Sequence, residues 1–158
     1  MRKGLRIASV ILVVLLTSCS GDDESGGPNT GTGDLIISAM VGNWVATSAQ
    51  FTTINANPVQ SRDVIADGGF CDLAVYQGSR FTLVIRNPGF PDPQITTGLL
   101  VADGDFINVR LDSDPTVDIR WNFTISGNNL AIDGPLDYDF ENDGILEETS
   151  ANMQFIRN

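Results

Sequence analysis

Thr116-Val117-Asp118-Ile119-Arg120-Trp121-Asn122-Phe123-Thr124-Ile125-Ser126 alternates without a break. Val117, Ile119, Trp121, Phe123 and Ile125 fall on one side, and the polar residues between them fall on the other. A period of two is that of an extended chain with one face in a core and the other in water. The pattern recurs upstream and downstream. Phe81, Leu83 and Ile85 alternate within Arg80 to Arg86, Ile107, Val109 and Leu111 within Asp105 to Leu111, and Met153 and Phe155 within Ala151 to Arg157. Gln77-Gly78-Ser79, Asp103-Gly104 and Ser126-Gly127-Asn128-Asn129 punctuate these runs as tight hairpins. The spacing predicts strands near 39–54, 62–67, 70–77, 80–86, 94–102, 105–112, 116–126, 129–133 and 148–157, with no helical stripe of ten or more residues after the first eighteen. Short sequential strands joined by tight turns favour an all-β fold, a single up-and-down antiparallel β-barrel of eight or nine strands over residues 35–158. Closing the sheet removes the edges that invite aggregation. The inward positions then include Trp44, Phe81, Leu83, Ile107, Val109, Trp121 and Phe123. A barrel of this size either fills with such side chains or leaves room for one small hydrophobic ligand.

The charge balance excludes several functions. Nine basic residues stand against twenty acidic ones for a net charge of −11, and histidine is absent. Past residue 18 the only cations are six arginines, so that portion carries −14. A nucleic-acid partner is disfavoured, because such affinity comes from basic groups neutralising phosphates. Histidine bases, histidine-ligated metals and, past the first residues, lysine Schiff bases are impossible. No Asp or Glu stands alone in an apolar stretch, so the expectation is a protein without catalytic activity.

Arg2, Lys3 and Arg6 precede ten mostly apolar residues, Ile7 to Leu16. A positive start and an apolar run of that length read as a secretory signal; a spanning helix needs about 20 apolar residues. The run ends in Leu16-Thr17-Ser18-Cys19, which resembles the lipobox of bacterial lipoproteins. The resemblance implies removal of residues 1–18, a diacylglycerol thioether on Cys19, and acylation of its amino group by a fatty acid such as palmitate. Several acyl chains together give a lasting membrane anchor. Ser20 to Asp34 holds no aliphatic or aromatic residue, so residues 19–34 read as the lipidated cysteine and a flexible acidic tether. Asp22, Asp23 and Glu24 resemble the acidic export signals of surface lipoproteins in some Gram-negative bacteria; the plainer reading is a solvated tether. The expected location is the bacterial cell envelope, at the outer membrane, on its periplasmic or its surface side.

One acidic run is dense enough for chemistry: Asp137-Tyr138-Asp139-Phe140-Glu141-Asn142-Asp143-Gly144-Ile145-Leu146-Glu147-Glu148. Asp139, Glu141 and Asp143 followed by Gly144 match the start of a calcium loop, with Glu147 or Glu148 as a further ligand, since calcium takes six to eight oxygens. Ser150 stands where an EF-hand needs its bidentate glutamate, and strands rather than helices flank the run. The competing reading is a solvated hairpin turning at Asn142-Asp143-Gly144. Asn87-Pro88-Gly89-Phe90-Pro91-Asp92-Pro93 is a stiff connection with an exposed aromatic, a plain loop or a lid over the barrel mouth. Cys71 is the one cysteine besides Cys19, has no histidine or lysine to activate it, and reads as a buried apolar side chain.

Gly42-Asn43-Trp44 opens the first long strand. With the later hairpins and the terminal Phe155-Ile156-Arg157, the chain resembles the lipocalin-like, or calycin, domains found among bacterial lipoproteins. The resemblance implies an indole, Trp44, across the closed end of a small barrel, with Arg157 packed on its ring and Gly42 beside it. It implies binding of a small hydrophobic ligand; the alternative is a filled barrel that docks another envelope protein. One feature departs from a simple strand. If Trp44 points inward, strict alternation sends Ala49 and Phe51 outward, so either a bulge shifts the phase or something covers the outer face.

Overall fold

The computed structural model describes residues 32–158. The signal segment, Cys19 and the tether through residue 31 lie outside the described residues. One helix, α1 (Thr32–Met40), precedes nine strands: β1 (Gly42–Thr53), β2 (Ser61–Asp63), β3 (Phe70–Val75), β4 (Arg80–Arg86), β5 (Gln94–Asp103), β6 (Phe106–Leu111), β7 (Ile119–Ser126), β8 (Asn129–Pro135) and β9 (Thr149–Arg157).

The helix is a departure from the sequence reading, which carried the tether to Asp34 and began the first strand at 39. Ile37 and Met40 lie one turn apart and are buried, while Leu35 on the opposite side is 63% exposed. Nine residues are too few to persist alone in water. What holds α1 is packing on β5 and a set of bonds at its carboxy-terminal end, described below.

Consecutive strands from β3 to β9 pair antiparallel, and β9 closes on β1, which in turn pairs with β3. The result is an eight-stranded, closed, up-and-down barrel in which β2 is an extra strand on β1. The start of β1 pairs with β3 over Gly42 to Val45, and its far end pairs with β2 over Gln50 to Thr52. Closure therefore leaves the eight strands without an unpaired edge.

The phase conflict in β1 is resolved by a bulge. The register with β9 shifts between Ala46 and Ser48, leaving Thr47 as the extra residue. Trp44 and Ala46 point inward before it, and Ala49, Phe51 and Thr53 point inward after it. Asp63 braces the bulge: Ser48 Oγ and the Ala49 amide donate to its carboxylate at 2.9 and 3.2 Å. The same carboxylate accepts from the Ile65 and Ala66 amides, so β2 stops at Asp63 and a turn follows, where the sequence suggested strand to 67. β7 also starts later than its alternation implied. Asp114 captures the amide and hydroxyl of Thr116, and Val117 sits 51% exposed in that turn rather than in the barrel.

Candidate binding site at the barrel mouth

The two ends of the barrel are built differently. At the end where β1 begins and β9 finishes, α1 lies across the opening. Trp44 is 1% exposed, and its indole Nε1 donates to the Met40 carbonyl at 2.7 Å. Arg157 lies on the other side of the ring, its guanidinium carbon 4.2 Å from the centroid. Its Nη1 and Nη2 donate to the Val41 and Ala39 carbonyls, each at 2.6 Å. A cation on the last carbonyls of a helix satisfies groups that have no partner within it and complements its dipole. Gly42 is required here. Its φ is +140°, and a Cβ on it would meet Arg157 Nη1 at 2.7 Å.

Between the ends, the sequence-derived interior residues converge. Trp44, Phe81, Leu83, Ile107, Val109 and Trp121 are all inward and at most 1% exposed. Phe123 is inward in phase but only half-buried, packing against the rim of the core with Ile119 and Ile125. Rings press onto glycines across the barrel wall. A Cβ on Gly98 would come within 2.9 Å of Phe81, and one on Gly134 within 2.4 Å of Trp121. Phe81 and Trp121 meet edge to face at 5.9 Å.

The other end is the mouth, and the acidic run folds over it. Leu136, Tyr138 and Phe140 turn inward and are buried, while the acids between them face water or the loop itself. Tyr138 stacks on Phe51 with centroids 4.3 Å apart and meets Phe140 edge-on at 4.9 Å. A backbone bridge between Tyr138 and Glu147, and a hydrogen bond from the Leu136 amide to the Thr149 carbonyl at 3.1 Å, hold the two arms of the loop. The phenol donates to Asn87 Oδ1, and Asn87 Nδ2 donates to Asn142 Oδ1 at 2.7 Å and to the Asp139 carbonyl at 3.2 Å. Gln94 joins the same loop, donating to the Asp137 carbonyl at 2.8 Å. Burial raises the Tyr138 phenol above its ordinary pKa against the lowering effect of Arg62 and Asn87, so it stays protonated as a donor.

Beside this plug lies a cleft of about 430 Å³. One wall is the proline-rich loop, with Phe90, Pro91, Asp92 and Pro93; the other is the acidic loop, with Asp139, Asn142 and Leu146; the buried Tyr138 and Ile85 form its floor. Phe90 is 43% exposed and Leu146 53%. Asn87 and Gln94 bring amides to the same space.

The proposed calcium ligands do not come together. Among the described residues no group of three or more acidic or cysteine side chains is placed to hold one ion. The reason is visible in the loop. Asp139 accepts from the Asp143 and Gly144 amides at 3.2 and 2.9 Å, Asp143 accepts from the Ile145 amide at 2.9 Å, and Glu147 accepts from the Phe140 amide at 3.1 Å. These carboxylates bend the chain instead of converging, and Glu141 is exposed.

All six arginines among the described residues have partners within the chain. Arg62 pairs with Asp67 at 3.6 Å and donates to the Phe140 carbonyl at 2.8 Å. Arg80, Arg110 and Arg120 pair with Asp112, Asp118 and Asp103 at 2.5, 2.9 and 3.2 Å. Arg86 covers Phe70 at 4.4 Å, and Arg157 is held at the closed end. No arginine lines the mouth cleft. Cys71 is fully buried, and desolvation, helped by Asp72, pushes its thiol up to about 12, far from a nucleophile's range.

Sequence reasoning missed Asn87, Gln94 and Tyr138 as builders of this site. The signal for two of them was present. Asn87 continues the inward phase of Phe81, Leu83 and Ile85, and Leu136, Tyr138 and Phe140 alternate inside the acidic run. No protein-family model matches the chain, and no curated protein matches it.

Proposed function

We propose that this chain is a membrane-anchored bacterial envelope lipoprotein whose lipocalin-like barrel is a non-catalytic binding module that works through its mouth rather than its interior. The Leu16-Thr17-Ser18-Cys19 segment supports the anchor, with an outer-membrane location. No described helix is long and apolar enough to cross a membrane, so attachment in this reading rests on lipid alone. The observation that carries the choice of mouth over interior is the close packing between the two ends, where Phe81 and Trp121 lie against the glycines of neighbouring strands. Of the two readings of the barrel, this favours a filled one over a cup for a hydrophobic ligand. A cleft above about 300 Å³ is of the size that takes small ligands, and the mouth provides one.

The test has two parts. Cys19→Ala should move the chain from the membrane fraction to the soluble fraction; retention after a high-salt wash would refute the anchor. A hydrophobic fluorophore such as anilinonaphthalene sulfonate should fail to bind stoichiometrically or to quench Trp44 and Trp121. Saturable one-to-one binding with tryptophan quenching would restore the hollow-barrel reading.

A further inference from the structure

We infer that the mouth cleft is a site for a small organic cation, an ammonium or guanidinium group carried on an apolar body. The inference rests on the mouth reading above and specifies its ligand. Three observations converge on that chemistry. The cleft joins an exposed aromatic face, Phe90, to carboxylates on both walls, Asp92 and Asp139. Its apolar surfaces, Pro91, Pro93, Leu146 and the floor at Ile85, would take the body of such a molecule. Among the described residues no cation lines the cleft, because the six arginines there are engaged elsewhere.

The two carboxylates play different parts. Asp139 is committed to the Asp143 and Gly144 amides, so it shapes the loop and supplies charge without being able to move. Asp92 is exposed, makes no hydrogen bond or ion pair with a described residue, and precedes Pro93, which restricts its backbone to extended conformations. It is the group positioned to meet a ligand. An aromatic face attracts a cation laid over it through the negative face of its quadrupole. An anion of the same shape would meet only like charge.

The test uses three probes of matched shape on the full-length chain carrying Cys19→Ala: 2-phenylethylammonium, 2-phenylethanol and 3-phenylpropanoate. Binding is read by amide chemical shifts. The ammonium should perturb residues 87–93 and 138–146 and bind about tenfold tighter than the alcohol, weakening with added salt, while the carboxylate should leave the spectrum unchanged. Asp92→Asn should bring the ammonium down to the affinity of the alcohol, and Phe90→Ala should weaken both. Equal affinity for ammonium and alcohol, or indifference to Asp92→Asn, would refute the cation while leaving the mouth as a binding site. No perturbation by any probe would refute the site itself. Displacement of the ammonium by a blocked lysine peptide at far lower concentration would replace the small molecule with a partner's side chain.

Discussion

Arg157 caps the helix that Trp44 supports: its guanidinium lies 4.2 Å over the indole while its two terminal nitrogens hold the Val41 and Ala39 carbonyls. One side chain thus ties β9, β1 and α1 together. Gly42 makes room for it, so Gly42→Ala combines a strained φ with a contact of 2.7 Å. A loss of about 1–3 kcal/mol is expected for that variant, and about 3–5 kcal/mol for Trp44→Ala. Equilibrium denaturation measures both, and a loss under about 1 kcal/mol for Trp44→Ala would contradict the burial of the ring.

Asp63 gives the fold a defined weakness to acid. Burial pushes its carboxyl up, but the hydrogen bonds from Ala49, Ser48, Ala66 and Ile65 outweigh it and leave the pKa below its ordinary value. A lowered pKa in the folded state stabilises the protein above the unfolded value, about 3.9. That stability is lost as pH falls through the folded value. Asp63→Ala should cost about 1–3 kcal/mol at neutral pH, with the difference from the parent shrinking below pH 4 in a series of melts.

Asp137 behaves in the opposite sense. Burial and the neighbouring Glu148 raise its pKa, so the folded state favours the protonated form. That contribution is present below the unfolded value and is lost as pH rises through the folded one. Asp137→Asn should therefore raise the melting temperature slightly at pH 7 and leave it unchanged at pH 3.

Cys71 should be silent until the barrel opens. With a pKa of about 12 and no exposed area, it should not react with Ellman's reagent in the folded Cys19→Ala chain. Reaction should become stoichiometric in denaturant, and the rate below the transition should follow global opening. Fast labelling in buffer would show that β3 opens on its own.

The acidic loop should treat calcium as a general electrolyte. Asp139, Asp143 and Glu147 are already used by backbone amides, so millimolar calcium and magnesium should shift the melt equally. Asp139→Ala should destabilise by about 1–3 kcal/mol with or without calcium. A calcium-specific increase abolished by Asp143→Ala would return the loop to the metal reading.

How much of this was legible depended on whether a residue's role is local. Alternation located the nine strands, because every barrel strand meets a core on one side and water on the other. The bulge at Thr47 was visible as a phase conflict between Trp44 and Phe51. The helix was not legible, since Ile37 and Met40 form a helical face only once β5 and Arg157 are beside them. The acidic run was read as a solvated turn or a calcium loop, and among the described residues its carboxylates form no ion-holding group. Its carboxylates were counted, but Leu136, Tyr138 and Phe140, which decide where the run lies, were not read as a strand-like phase. The Thr116–Val117 start of β7 failed because Asp114 offers a competing local bond.

The seam between β1 and β9 also sets the timing of folding. Val41 and Arg157 bond across 116 residues of chain, and nine register pairs along the same seam are almost as distant. Such contacts are reached only after the intervening loop has been closed, which makes assembly slow and leaves little native structure to gain from the first half of the chain alone. A polypeptide of this kind closes its barrel only when its final strand arrives, because β9 supplies one side of the seam.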